Sequence, residues 1–238
     1  MNDKLKLLYA SFVDDWKTEL PFASKLSAPF LPSIDSNFAS AKFKLIVVGQ
    51  QTNGWCGFWN AWRRKPTDEI VAELTAVHAN FYNGEGRQRP FFRALDELVS
   101  GLAPVGASKA GCLWTNTLPF DNDKKTPLLE LQKLFGRASL LAGVIQFANP
   151  DAVVFLTGPY YDEALVEQFS DLKRLAISNN DRILSRLESS AFPTATYRTY
   201  HPSYLRRSGN WNVLRQITGL IQQELKQAKF KPPQFTCG

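Results

Sequence analysis

The sequence predicts an α/β protein: a three-layer α/β/α arrangement around a central four-stranded parallel sheet. Short β-branched runs recur along the chain and stop at turn residues, and longer amphipathic patterns lie between them. Strands that alternate with helices in this way build a parallel sheet with helices on its faces, joined by right-handed crossovers. The chain has 238 residues, of which 44% are hydrophobic and 21% charged. That is ordinary globular composition, enough for one full core and too apolar for disorder. One domain is expected over residues 1–238, with an N-terminal helix and wrapping loop over 1–43 and a loose tail over 229–238.

Residues 3–18 place Leu5, Leu8, Phe12 and Trp16 at near-helical spacing. Residues 21–42 hold Pro21, Pro29 and Pro32 among serines and read as a loop that wraps the domain. Lys44–Gly49 is a β-branched run ending at glycine, the pattern of a buried parallel strand. Thr67 is placed to cap a helix carrying Asp68 and Glu69 in its first turn, with Ile70, Val71, Leu74, Val77 and Phe81 along one face. Residues 91–102 give a second helical pattern, and Gly111–Asn116 a second strand. Residues 128–147 read as one long helix, ended by Asn149-Pro150. Asp151–Thr157 is the clearest strand, followed by Gly158-Pro159 and a helix near 161–172. Thr194–Tyr200 alternates polar and aromatic residues as a fourth strand, and 211–226 is the last helix.

Several classes of function are excluded. No apolar run reaches the roughly 18 residues that a membrane helix needs, so no membrane partner is expected. Asp14 and Asp15 stand where a secretory peptide would be cleaved, so the expectation is a cytoplasmic protein. Three widely spaced cysteines (Cys56, Cys112, Cys237) and two histidines provide neither a disulfide framework nor the ligands of a structural zinc or iron–sulfur site. No metal and no organic cofactor are expected. The net charge of +6 and pI near 9.2 point toward polyanions. Arg63-Arg64-Lys65, Arg87, Arg89, Arg93, Lys124-Lys125 and Arg206-Arg207 fall mostly in loops or at element ends, where they can neutralise phosphates.

In a parallel sheet, ligands bind beyond the carboxyl ends of the strands. The residues there are Gly49–Trp55, Asn116–Asp121, Thr157–Tyr160 and His201–Arg207. Neither a dinucleotide-binding glycine pattern nor a P-loop occurs among them. His78 lies inside a helical pattern beside its apolar face and reads as structural. His201 directly follows a strand, before Pro202, Ser203 and two arginines, and reads as functional.

These residues resemble the uracil-DNA glycosylase superfamily. That family has a Gly-Gln-Asp-Pro-like motif after its first strand and an asparagine closing the second. It has a Phe-Leu-hydrophobic-Gly strand and a His-Pro-Ser-Pro-Leu-like loop after the fourth. This chain carries Val48-Gly49-Gln50-Gln51, Leu113-Trp114-Thr115-Asn116, Val154-Phe155-Leu156-Thr157-Gly158 and His201-Pro202-Ser203-Tyr204-Leu205, in the same order between Lys44 and Arg207. The resemblance implies a monofunctional DNA glycosylase with a uracil-DNA glycosylase-like fold. It would flip a pyrimidine out of double- or single-stranded DNA, hydrolyse the N-glycosidic bond and leave an abasic site. A monomer is expected, and DNA is the expected partner. Asn116 takes the place of the base-reading asparagine, with Gln50 beside it. Because an amide both donates and accepts, Asn116 can read uracil in one orientation and cytosine in the other. His201 corresponds to the residue that hydrogen-bonds the pyrimidine O2 as negative charge gathers there. Trp55 or Phe58 would provide the stacking face. Leu205 matches the wedge that fills the vacated stack, while Ser203, Tyr204, Arg206 and Arg207 would grip the DNA.

Two departures from the family pattern matter. Where the family has a water-activating acid this chain has Gln51, which cannot act as a base but can position water. Asn53 is a second amide close by, and Asp121 and Asp123 are candidates for a displaced carboxylate. Where uracil-specific relatives place a tyrosine against C5 this chain has Asn53, and Thr52 replaces the motif's proline. Small or polar residues there leave space for a C5 substituent, such as those on modified cytosines of phage DNA, in which case the enzyme serves defence. A neighbour such as Trp55 closing the gap would return the pocket to uracil and to base-excision repair. The alternatives are a DNA-binding module of the same fold that does not cut, and an enzyme acting on a free nucleotide.

Overall fold

A computed structural model describes residues 2–20, 25–84, 89–137, 139–177 and 181–230. Pro21, Arg87, Cys237 and the tail from residue 231 onward lie outside the described residues.

The chain folds as α1 (Asp3–Glu19), α2 (Ser36–Ala39), β1 (Phe43–Gly49), α3 (Trp59–Trp62), α4 (Thr67–Asn83), α5 (Pro90–Leu102), β2 (Ala107–Asn116), α6 (Leu129–Arg137) and α7 (Leu140–Ala148). It continues through β3 (Ala152–Leu156), α8 (Asp162–Gln168), β4 (Lys173–Ala176), β5 (Leu184–Glu188), β6 (Ala195–Thr199), α9 (Pro202–Arg207) and α10 (Val213–Phe230). The strand order is β2-β1-β3-β6-β5-β4. The first four run parallel, and the last two join as an antiparallel hairpin.

The sheet is therefore six-stranded and mixed, not four-stranded and parallel. The four expected strands are its parallel part. The extra pair falls in a region with no apolar signal: β4 is Lys-Arg-Leu-Ala and exposed along its length, and β5 alternates buried with half-buried residues. The hairpin covers Arg198, a fully buried cation at the centre of β6. Its guanidinium donates to Asp162 Oδ2 at 3.1 Å and to the Arg182 carbonyl at 2.8 Å. A buried charge survives only when paired in this way.

Local chemistry explains the other differences. The long helix expected over 128–147 is divided, because the Ser139 hydroxyl accepts from Ala142 N at 3.0 Å and starts α7 afresh. The helix expected over 161–172 is the shorter α8, giving way to β4. Thr67 does not cap α4, since Pro66 holds that position. The Thr67 hydroxyl instead bonds Lys17 Nζ and Asp14, tying α4 to α1. The wrapping loop is not loose. Leu26, Ala28, Phe30 and Leu31 are buried, and its backbone bonds the segments that follow β1 and β2: Ala28 N to the Gly57 carbonyl at 2.8 Å and Phe30 N to the Pro119 carbonyl at 2.8 Å. No helix among the described residues is long and apolar enough to cross a membrane.

Register brings the strand ends together. Gly49 lies opposite Asn116, and Leu156 opposite Thr199. All four carboxyl ends therefore share one edge of the sheet, where the chain reverses its direction of strand addition between β1 and β3. That is where open α/β sheets bind ligands.

His78 pins the wrapping loop to this edge. Its Nδ1 accepts from Ser33 N at 2.9 Å, so Nε2 carries the proton and donates to the Trp114 carbonyl at 3.2 Å. Burial lowers its pKa to about 4 from an ordinary 6.5. A histidine kept neutral in the fold contributes fully above the unfolded pKa and loses that contribution as the pH falls toward the folded one. Urea unfolding is expected to show about 3 kcal/mol of stability lost between pH 6.5 and pH 4. In a His78→Leu variant the loss over this range is expected to shrink by about that amount; an identical slope in both proteins would refute the assignment.

Candidate functional site

A cavity of about 580 Å³ opens at the carboxyl edge of the sheet, and Gly49, Gln50, Gln51, Asn53, Trp55, Asn116, His201 and Ser203 all line it. Asn116 and His201, which lie 85 positions apart in sequence, thus meet at one cavity. Asn116 is only 6% exposed. Its Oδ1 accepts from the Trp114 indole N–H at 3.3 Å, and its Nδ2 has no hydrogen-bond partner. An indole nitrogen is a donor only, so it fixes which end of the amide is the oxygen. Turning the amide over would set donor against donor. Asn116 therefore offers a buried, unused N–H pair to whatever enters.

The indole that imposes this orientation is itself held by packing. Phe30, Phe81, Phe91, Phe92 and His78 place their rings 4.6–5.8 Å from the Trp114 ring. Gly49 leaves room for the amide: a Cβ there would lie 2.5 Å from Asn116 Oδ1 and 3.2 Å from the Phe91 ring.

His201 is the N-cap of α9, with Pro202 in the first helical position. Its Nδ1 accepts from Ser203 N at 3.2 Å, leaving Nε2 protonated as a donor. Burial, with Arg207 nearby, holds its pKa below the ordinary 6.5 and favours the neutral ring. The Phe91 ring lies alongside the imidazole, centroids 6.2 Å apart and planes 29° apart. Gln50 Nε2 donates to the Thr157 carbonyl at 2.8 Å, bridging the ends of β1 and β3. Gln51 Oε1 accepts from the Tyr161 hydroxyl, which also bonds Thr126. Asn53 is exposed on the cavity wall.

Several expectations are corrected. Phe58 does not line the cavity; it is 54% exposed and precedes α3. Trp55 does line it, and Phe91, which the sequence marked only as part of a helix, is a second aromatic wall. No motif fixes the spacing from Gly49 to Phe91, so its place was not readable. Leu205 is completely buried, because α9 turns it into the core and leaves Tyr204 outside. It is not presented as a wedge.

Neither aspartate reaches the cavity. Asp121 accepts from the Thr52 hydroxyl at 2.5 Å, Gly54 N at 2.8 Å and Lys124 N at 2.7 Å, holding the loop after β1 in shape. Asp123 pairs with Lys25 at 3.7 Å. Among the described residues the lining includes no carboxylate.

The basic residues divide. Arg63 donates to the Leu20 carbonyl at 2.9 Å and also to that of Lys17, and Lys65 is paired with Glu69 and Glu73. Arg89 lines the cavity with its guanidinium over the Phe81 ring at 5.7 Å. Arg93 and Arg206 flank an adjoining groove with Trp211 and Glu97. Among the described residues no group of three or more histidines, cysteines and carboxylates is arranged to hold a metal.

No family model matches the chain, and no curated protein matches it.

Asp121→Ala is expected to destabilise the protein by about 3 kcal/mol or more, because hydrogen bonds to a charged group contribute about 1.5–3 kcal/mol each. Urea unfolding checks this; unchanged stability would show that the loop does not depend on the carboxylate.

Proposed function

We propose that the protein is a monofunctional DNA glycosylase of three-layer, uracil-DNA glycosylase-like architecture, acting on a pyrimidine that carries an oxygen at C4. The observation that carries this reading is the shared cavity of Asn116 and His201, each presenting an N–H donor. An everted uracil-type base offers O4 to Asn116 Nδ2 and its N3–H to the free lone pair of Asn116 Oδ1. Its O2 faces His201 Nε2–H. As the glycosidic bond breaks, the sugar becomes oxocarbenium-like and the base anionic, with its charge on those two oxygens. Preorganised donors at such an anion contribute about 2.7–4 kcal/mol each. Trp55 or Phe91 stacks on the base, and Ser203, Arg206 and Arg207 hold neighbouring phosphates.

Cytosine-type bases present an acceptor at N3 and an amino group at C4, so both contacts to Asn116 are mismatched. At about 1–3 kcal/mol for each unmade contact, discrimination of about 10²-fold or more is expected. The reading therefore selects uracil or a C5-substituted uracil over the modified cytosines. The absence of a tyrosine at Asn53 and a cavity in the middle of the roughly 300–1,000 Å³ range of ligand sites favour room for a substituent. Water attacks the oxocarbenium carbon and gives up its proton, which the departing base anion takes. Gln51 Oε1 keeps a lone pair beside its bond from Tyr161, and Asn53 is exposed on the same wall, so these two amides position the water.

The test is incubation of oligonucleotides containing uracil, 5-hydroxymethyluracil, cytosine or 5-hydroxymethylcytosine, followed by alkaline cleavage at abasic sites. Cleavage is expected at the first two. No cleavage with any base would leave a DNA-binding module of the same fold. His201→Ala is expected to lower the chemical step about 10²–10³-fold while DNA affinity changes less than about threefold. Trp114→Phe keeps the ring but frees the amide to turn, and is expected to narrow the preference for uracil over cytosine about tenfold.

The pH dependence follows from His201. Its pKa is lowered, so the neutral ring persists as the pH falls through 6.5. Below its own pKa the proton on Nδ1 displaces the Ser203 N–H that orients the ring. The rate is expected to stay level from pH 8 to 6.5 and to fall only below; a decline already centred at 6.5 would show an unshifted imidazole.

A further inference from the structure

Tyr160, Tyr200 and Tyr204 gather at the carboxyl edge of the sheet, beside the cavity. Tyr160 follows β3 and is 81% exposed, an unusual degree for an aromatic side chain. Tyr204 stands in the first turn of α9, one residue after Ser203 of the cavity wall, and is 41% exposed. Its ring stacks on Tyr200, centroids 4.2 Å apart and planes 26° apart. Arg182 sits against the Tyr200 hydroxyl and near Tyr160. Arg206 and Arg207 are exposed on the same short helix.

We infer that Tyr160 and Tyr204, the latter backed by the buried Tyr200, form a stacking platform for unpaired bases flanking the everted one, so that the enzyme's substrate is single-stranded DNA. The identity of the strand as DNA rests on the function proposed above. Bases stack on aromatic faces whatever their sequence, and arginines beside the rings neutralise the phosphates between them. Tyr204 is already stacked, and so presents a face, not a free edge for insertion into a duplex. Leu205, the residue that would hold a duplex open, is sealed in the core. A duplex would have to lose a base pair and a stack, and Leu205 is not placed to replace either. A single strand bears little of that cost.

The test is fluorescence anisotropy with labelled single-stranded and duplex oligonucleotides of one sequence, lacking uracil, so that binding is read apart from cleavage. Single-strand affinity is expected to exceed duplex affinity at least tenfold. Tyr204→Ala is expected to weaken single-strand binding about tenfold, within the range of one lost base stack, and duplex binding less than twofold. Tyr204→Phe, which keeps the ring, is expected to restore affinity to within twofold. Equal or tighter duplex binding, equal losses for both strands, or failure of phenylalanine to restore affinity would each overturn the inference. Absence of cleavage with preserved single-strand preference would sink the proposed activity and leave the platform standing. Cleavage confined to duplex DNA would do the reverse.

Discussion

The indole N–H of Trp114 bonded to the carbonyl of Asn116 is the contact on which the site depends. It links two residues on the same strand and turns an amide that reads either way into one with a fixed polarity. The bond itself is ordinary in strength, about 0.5–1.5 kcal/mol net. What makes it decisive is that the indole has no second place to go. Aromatic rings from the wrapping loop, α4 and α5 surround it. Much of the packing above β2 therefore serves to hold one hydrogen-bond donor at one angle, and the loop held by His78 is part of that packing.

The arrangement has an energetic consequence. A buried amide nitrogen without a partner costs about 1–3 kcal/mol, a noticeable part of a total stability of about 5–15 kcal/mol. A ligand or water entering the cavity satisfies such a group. His201 is the second donor there: the Ser203 N–H occupies its Nδ1, and burial favours the neutral ring. Compensation comes from elsewhere. Asp121 draws three donors onto the loop after β1, and Asp162 neutralises Arg198 beneath the hairpin. These polar clusters lie outside the cavity.

The parallel part of the sheet was legible because its strands are continuous apolar runs ended by turn residues, and because strand ends in such sheets share an edge. Asn116 and His201 stood among the strand-end residues for that reason, and the resemblance singled them out as a pair. The antiparallel hairpin was not legible: its outer strand is Lys-Arg-Leu-Ala, and an exposed edge strand carries no periodic signal. Leu205 shows the second kind of limit. A motif fixes its position in sequence, whereas the rotation of α9, set by Pro202 and by the stacking of Tyr204 on Tyr200, decides which of the two neighbours faces outward. Phe91 shows a third. Its ring reaches the cavity from a helix whose distance from β1 in sequence no rule dictates. The aspartates after β2 looked available as acids because sequence cannot show that backbone N–H groups already occupy them.

If the proposed glycosylase reading holds, a cavity wall with no carboxylate among the described residues still has the larger share of the catalytic means. General-base assistance contributes about 10²–10⁴ in rate, equivalent to about 3–5 kcal/mol. Two donors on the departing base contribute about 5–8 kcal/mol together, and capture of the nucleotide in a fixed pose contributes as much again. An oxocarbenium carbon accepts even a neutral water once the base has left. Under that proposal the bond that must be broken is governed by the leaving group, and Asn116 and His201 are the residues assigned to it. Under the same proposal, Gln51 in the place of the family's acid sacrifices speed in the second half of the reaction. It also removes a negative charge that would repel the anionic base and the phosphates on either side of it.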